Sequence, residues 1–162
     1  MKKNDVIFFI TAAAIILLDQ ATKHLIDSNM SLGDSFPVIQ GLFNITYVRN
    51  PGAAFGIFAK SPEIFRTVFL IAVTSAAMLL ILYYIRMNRG RDVLLNLALS
   101  LIFGGAIGNL IDRIRFGEVI DFLDFYVGSH HWPAYNVADS AISTGAVLLL
   151  LAMIWKKGEK VG

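Results

Sequence analysis

Residues 67–84 read TVFLIAVTSAAMLLILYY, eighteen positions without a charged side chain. A helix at a water-exposed surface carries an apolar stripe and an opposite charged face, and this stretch has no charged face to offer. At about 1.5 Å per residue it crosses most of the roughly 30 Å of bilayer hydrocarbon. Ser61-Pro62-Glu63 introduces it as a helix start, with Ser as cap, Pro in the first turn and Glu at the positive helix end. Working outward, three more segments have spanning length and apolarity, so the expected spans are about 6–26, 63–85, 92–114 and 138–155. Composition agrees, because 56% of the 162 residues are hydrophobic and only 16% are charged. A soluble domain is about a quarter charged, and a disordered chain is poor in apolar residues. The first segment follows Lys2 and Lys3 as a cleavable secretory signal would, but Asp19-Gln20 replaces the small-residue cleavage pattern after Leu18. One integral membrane domain over residues 1–162 is expected, without internal repeats or linkers.

Charge distribution orients the four spans. Both termini and the loop around 87–91 share one side, which holds eight basic and three acidic side chains, a net of +5. The remaining six basic and nine acidic groups give −3. By the positive-inside rule both termini are cytoplasmic. The formal charge of +2 therefore marks topology, and no nucleic acid is expected as a partner.

Two segments of about 27–60 and 116–137 lie on the far side. In the first, Phe43, Ile45 and Tyr47 alternate with more polar neighbours as a half-buried strand does, so a small extracytoplasmic sheet is expected at the membrane surface. It ends in Asn50-Pro51-Gly52-Ala53-Ala54-Phe55-Gly56, a turn followed by small residues. The second carries Glu118, Asp121, Asp124, His130, His131 and Trp132 and is expected as a helix or loop covering the outer face.

The chemistry-bearing residues collect at the outer span ends, where a charge costs at least a few kcal/mol unless it pairs, faces a cavity or reacts. Asp19 and Lys23 lie one helical turn apart, and Asn109, Asp112 and Arg113 share one side of the third span. Gly104 and Gly108 make a small-xxx-small face for close helix packing. Asn136 suits a helix N-cap and Asp139 the first turn after it. A purely structural role remains open, with Asp19 paired to Lys23 and Asp112 to Arg113 or Arg115 as interfacial anchors. The absence of cysteine removes thiolate nucleophiles and Cys-based zinc sites. There is no His-Glu-x-x-His pattern and no Gly-x-Ser-x-Gly elbow. Adjacent His130 and His131 near Asp124 make a poor metal site, since neighbouring residues rarely converge on one ion. Paired carboxylates sharing a proton are left as candidate hydrolytic machinery. Asp19, Asp112, Asp121, Asp124 and Asp139 allow ten pairs, among which the helix start favours only Asp139 as one member. A small transport or assembly subunit, with carboxylates that carry protons or contact a partner helix, fits the same pattern.

Five ordered motifs add a resemblance over essentially the whole chain: Asp19-Gln20-x-x-Lys23, Arg49-Asn50-x-Gly52-Ala53-Ala54-Phe55, Gly105-Ala106-x-Gly108-Asn109-x-x-Asp112-Arg113, Val119-Ile120-Asp121-Phe122 and Asn136-x-Ala138-Asp139-Ser140. With them the chain resembles the signal peptidase II family, bacterial inner-membrane aspartic proteases that remove signal peptides from lipid-modified prolipoproteins. The resemblance implies a four-span protein with an extracytoplasmic β-sheet cradle and an active site near the outer face. It implies Asp121 and Asp139 as the catalytic dyad. Supporting positions fall on Asp19, Lys23, Asn50, Gly52, Asn109, Asp112, Arg113, Asn136 and Ala138. Asn109, Arg113 and Asn136 are expected to bind backbone groups of the substrate or of globomycin-type inhibitors. Neither metal nor cofactor is implied; the implied partners are prolipoprotein signal peptides and membrane lipids.

Overall fold

The structure is a computed structural model and describes residues 3–52, 58, 61–87 and 93–158. In chain order it builds α1 (Lys3–Asn29), β1 (Ser35–Ile39), β2 (Phe43–Asn50), α2 (Glu63–Met87), α3 (Val93–Phe116), β3 (Val119–Val127), β4 (His130–His131) and α4 (Val137–Gly158). Residues 53–56 of the expected turn, the basic loop at 88–92, and Lys2, Glu159 and Lys160 of the charge count lie outside the described residues. Four helices are long and apolar enough to cross a membrane: Asp5–Asn29, Glu63–Met87, Val93–Phe116 and Val137–Ile154. The expected spans agree with these to within a few residues at either end.

Helix α3 is the centre of the bundle, packed against α1 on one side and α4 on the other. Glycine makes both approaches possible, because without a side chain the backbones can touch. A Cβ on Gly104 would lie 2.9 Å from the Ala12 carbonyl oxygen of α1, and one on Gly105 would run into the Ala138 carbonyl of α4. Small residues serve helix packing in lipid, where apolar side chains gain little by leaving acyl chains for one another. Helix α2 lies to the side and buries only Arg66 and Leu70.

The strands form one antiparallel sheet in the order β1-β2-β3-β4. Strand β2 is confirmed where the alternation placed it. The second outside segment differs from expectation: its first half is no helix or loop but the strand β3, which pairs Val48 with Asp121 and Asn50 with Val119. Its β-branched and aromatic residues, VIDFLDFYV, suit a pleated surface. Gly117, at φ 74°, ends α3 with its N–H donated to the Arg113 carbonyl at 3.0 Å, a left-handed helix terminus. That reversal turns the chain straight from α3 into β3 and brings Asp121 back over the end of the bundle. Tyr47, Ile120 and Phe122 form an apolar cluster, backed by Ile26 at the end of α1 and Met30 just past it.

Candidate active site

Three helix ends and two strands converge at one end of the bundle. Asn136 caps α4, accepting the Asp139 N–H at 2.9 Å on its side-chain oxygen. With that oxygen so engaged, its amide nitrogen faces Asp121 Oδ1 at 2.8 Å, the Ile120 carbonyl at 3.1 Å and Asn109 Oδ1 at 3.2 Å. From β2, Asn50 donates to the other Asp121 oxygen at 3.0 Å and accepts the Gly52 N–H, also at 3.0 Å. Asn109, on α3, donates to Asp139 Oδ1 at 2.8 Å. Three asparagines therefore orient two aspartates carried by different elements, Asp121 on β3 and Asp139 in the first turn of α4.

Two further carboxylates hold the backbone that presents this pair. Asp19, on α1, accepts the N–H of Ala138 at 2.9 Å, and Asp112, on α3, accepts the N–H of Ile120 at 3.2 Å. Each thus grips the residue immediately before one of the two aspartates. Both also bind the ammonium of Lys23, each at 2.9 Å, and that ammonium donates to Asn109 Oδ1 at 2.9 Å as well. Asp19, Lys23 and Asp112 are all but inaccessible, at 0%, 2% and 1% exposure. The ion pair expected between Asp19 and Lys23 is present. Asp112 turns away from Arg113 and Arg115, its expected partners, and pairs with Lys23 of another helix. The physical reason is that the inward face of α3 at Asp112 meets α1, while the next residue points elsewhere: Arg113 donates to the Gly52 carbonyl at 3.2 Å.

Gln20 of the Asp19-Gln20-x-x-Lys23 motif, for which the sequence suggests no role, also belongs here, within hydrogen-bond distance of Asp112 Oδ1 (3.0 Å), the Gly108 carbonyl (3.1 Å) and Asp19 Oδ2 (3.2 Å). Its place next to Asp19 on a membrane-boundary helix was the available signal. Asp124 stands outside the cluster, on β3 with Asn44 donating at 2.9 Å and His131 Nδ1 at 2.9 Å from its carboxylate. Among the described residues no group of three or more His, Asp and Glu gathers as a metal-ligand cluster.

The site borders a cavity of about 620 Å³. Asn50, Asn109, Arg113 and Asp139 are among its polar lining, and Phe125, Trp132, Pro133 and Tyr135 from β3 and the segment after β4 line it too. Asp139 is half-buried on this cavity, and Asp121 is buried behind it. Burial pushes the Asp121 carboxyl up to about 7, and the neighbouring Asp139 charge pushes the same way, against the opposing hydrogen bonds of Asn50 and Asn136 and the charge of Lys23. A carboxyl so placed holds a proton near neutral pH beside a second carboxylate, which is the condition for acid and base to work as one pair.

Comparison with known proteins points one way. A family model described as signal peptidase (SPase) II matches residues 11–155. The chain is 54% identical over 160 residues to a lipoprotein signal peptidase of Syntrophus aciditrophicus (strain SB), covering 99% of both chains. It is also 54% identical over 154 residues to one of Geobacter metallireducens, covering 95% of this chain and 94% of that one. A solved bacterial membrane enzyme structure, obtained by the in meso method, superposes with a TM-score of 0.86 at 34% identity, covering 94% of this chain and 90% of that chain.

Proposed function

The chain belongs to the signal peptidase II family, and from that premise we propose that Asp121 and Asp139 are the dyad with which this multi-pass bacterial membrane protease removes signal peptides from prolipoproteins. The observation that carries the assignment is the pairing itself. Two carboxylates from different elements share one asparagine frame, one behind the other at the wall of a cavity. Of the five aspartates that left ten pairs open in the sequence, the other three are engaged elsewhere: Asp19 and Asp112 with backbone N–H groups and Lys23, and Asp124 with Asn44 and His131.

The dyad carries one proton between its members and titrates as a unit. Burial holds the proton on Asp121, and Asp139, which lines the cavity, is the member that meets water. Asp139 then takes a proton from water as its oxygen adds to the scissile carbonyl, and Asp121 gives its proton to the carbonyl oxygen. Collapse of the tetrahedral species breaks the C–N bond, the leaving nitrogen takes a proton from Asp139, and the dyad recovers its own from the second hydroxyl. No covalent enzyme intermediate forms. Arg113 and the Asn109 amide, both on the cavity, supply donors for backbone carbonyls of the bound peptide or of a globomycin-type inhibitor. Asn136, expected in the same role, is fully buried with its amide on Asp121 and orients the dyad instead, and Gly52 and Ala138 are the small positions that bring backbone close to Asn50 and Asp19. Both termini are cytoplasmic in this reading, and the site lies near the outer face. The signal helix enters from the lipid and is cut on the amino side of the diacylglyceryl cysteine, whose acyl chains stay in the bilayer.

The test is cleavage of a diacylglyceryl prolipoprotein by the purified full-length protein, followed by gel mobility. Asp121→Asn and Asp139→Asn should each abolish the shift while the protein keeps its elution volume and melting temperature. Retained cleavage by either variant overturns the dyad.

A further inference from the structure

Between Val137 and Ile154 the only side chains able to hydrogen-bond strongly are Asp139, Ser140, Ser143 and Thr144, and all four line the 620 Å³ cavity. The remaining residues of that span are Gly, Ala, Val, Leu, Ile and Met. A hydroxyl on a membrane helix ordinarily bonds back to its own helix. Ser140 does so, donating to the Asn136 carbonyl at 2.9 Å, and so does Thr22 on α1, to the Leu18 carbonyl at 2.8 Å. Ser143 and Thr144 make no side-chain hydrogen bond with another described residue and are exposed to the cavity instead.

Hydrolysis requires a peptide whose scissile carbonyl is open to the dyad, and a carbonyl inside a helix is engaged with the N–H four residues on. The substrate must therefore be unwound at the cut. Unwound backbone at membrane depth is costly, several kcal/mol for each unsatisfied polar group, unless a protein surface supplies the missing partners. Ser143 and Thr144 lie four and five residues past Asp139, about 6–7.5 Å deeper along α4 at 1.5 Å per residue. An extended peptide covers that distance in about two residues at roughly 3.3 Å each. Hydroxyls both donate and accept, so they can serve a backbone N–H and a carbonyl without selecting a side chain.

We propose that the Ser143 and Thr144 hydroxyls are a backbone-binding subsite for the unwound part of the signal peptide, about two residues to the amino side of the scissile bond. The inference rests on the peptidase reading above. It gives this wall of the cavity a task separate from the dyad's: holding the peptide open, with no part in proton transfer.

The experiment uses purified full-length protein and synthetic diacylglyceryl prolipoprotein peptides. In one set, each backbone amide N–H within three residues on the amino side of the scissile bond is replaced in turn by an ester oxygen. Ser143→Ala/Thr144→Val keeps the shape and removes both hydroxyls, and Ser143→Thr/Thr144→Ser keeps both hydroxyls and exchanges their methyl groups. With the all-amide substrate, the first variant should raise KM by about fivefold to thirtyfold, the size of one or two uncharged hydrogen bonds, with kcat changed less than threefold. The exchanged variant should restore KM to within about twofold of the parent. At least one ester should raise KM about fivefold for the parent protein and leave it unchanged for Ser143→Ala/Thr144→Val, the coupling expected of two partners in one bond. An unchanged KM in the hydroxyl-free variant, or an ester effect of equal size in both proteins, overturns the subsite. If the variant melts lower, the single changes Ser143→Ala and Thr144→Val carry the same comparison. Failure of the parent protein to cleave the all-amide substrate would instead overturn the peptidase reading and this inference with it.

Discussion

The two ends of the α1–α3–α4 bundle are held together by different physics, although the same three helices run through both. At one end Phe8 and Ala12 of α1 meet Leu99 and Phe103 of α3, with the Phe8 and Phe103 rings 5.4 Å apart. Three turns further along α1, Asp19 and Lys23 meet Asn109 and Asp112 of α3 and the first turn of α4 through bonds of 2.9 Å. Dispersion contacts are individually small and forgiving of direction. Buried ionic contacts are directional, and removing one member leaves another charged and unpaired. The difference teaches where precision is kept: the apolar end fixes how close the helices come, and the polar end fixes the position of two carboxylates.

The sharpest way to break the comparison is Lys23→Met, which retains the length of the side chain and deletes the charge. Asp19 and Asp112 would then face each other across an apolar stem, each still gripping the backbone before one dyad residue. Breaking a buried pair costs about 3–5 kcal/mol, and the cleavage rate should fall at least about a hundredfold as the two aspartates lose their fixed separation. Thermal unfolding in detergent and prolipoprotein cleavage check both. A variant with parental melting temperature and rate would show that the brace is decorative.

Asn136→Ala is the next largest change. It removes the α4 cap, worth about 1 kcal/mol, and the amide that faces Asp121. Loss of a hydrogen bond to a charged or charge-sharing group costs about 1.5–3 kcal/mol, so kcat/KM should drop roughly tenfold to a hundredfold. Restoring only the cap with Asn136→Ser should recover the melting temperature but not the rate. Recovery of both would remove Asn136 from the site and leave it a cap.

Titration separates the ends without a mutation. Asp121 sits at about 7 in the folded protein against an ordinary value of 3.8, so between those two values the unfolded chain has released a proton that the folded chain still holds. Stability contributed by the protonated carboxyl is therefore complete below about 4 and is lost as pH rises through about 7. The same deprotonation empties the dyad of its shared proton, so kcat/KM should decline by about tenfold per pH unit above that value. Asp121→Asn should flatten the stability slope in that window; an unchanged slope would mean that the carboxyl is not the titrating group.

How much of this was legible in the sequence follows the same division. The spans could be read because a charge-free run such as 67–84 is a local property, and β2 because alternation is local too. The choice of the proposed dyad was not local: five aspartates left ten pairs, and only the motif resemblance pointed to Asp121 and Asp139. Partner choice was least legible. Asp112 was expected with Arg113 or Arg115 because these are near in the chain, yet its partner Lys23 is carried by α1, and only the packing of α1 on α3 brings them together. The strand character of β3 is hidden because Asp121 and Asp124 stand three residues apart and break the alternation of a half-buried strand, although VIDFLDFYV is a β-branched and aromatic run. The cavity wall of Phe125, Trp132 and Tyr135 had no sequence signal, since aromatic residues at a membrane boundary serve equally well as interfacial anchors.

The smallest effect is expected at the apolar end, and it tests whether the division holds. Phe8 is fully buried and its ring contacts Phe103, so Phe8→Leu removes part of the packing that sets the spacing of α1 and α3. A near volume-conserving apolar exchange costs about 1 kcal/mol, enough to lower the melting temperature by a few degrees at this size. Asp19 lies three turns away on the same helix, about 16 Å at 1.5 Å per residue, and is held by its own bonds to Lys23 and the Ala138 N–H. Those bonds are shorter-ranged and stiffer than the contact being relaxed, so kcat/KM should stay within about twofold of the parent, as expected for sites too distant to share partners. A fivefold loss of rate with the same small loss of stability would mean that α1 transmits its packing as a rigid rod, making the apolar end part of what aligns the dyad.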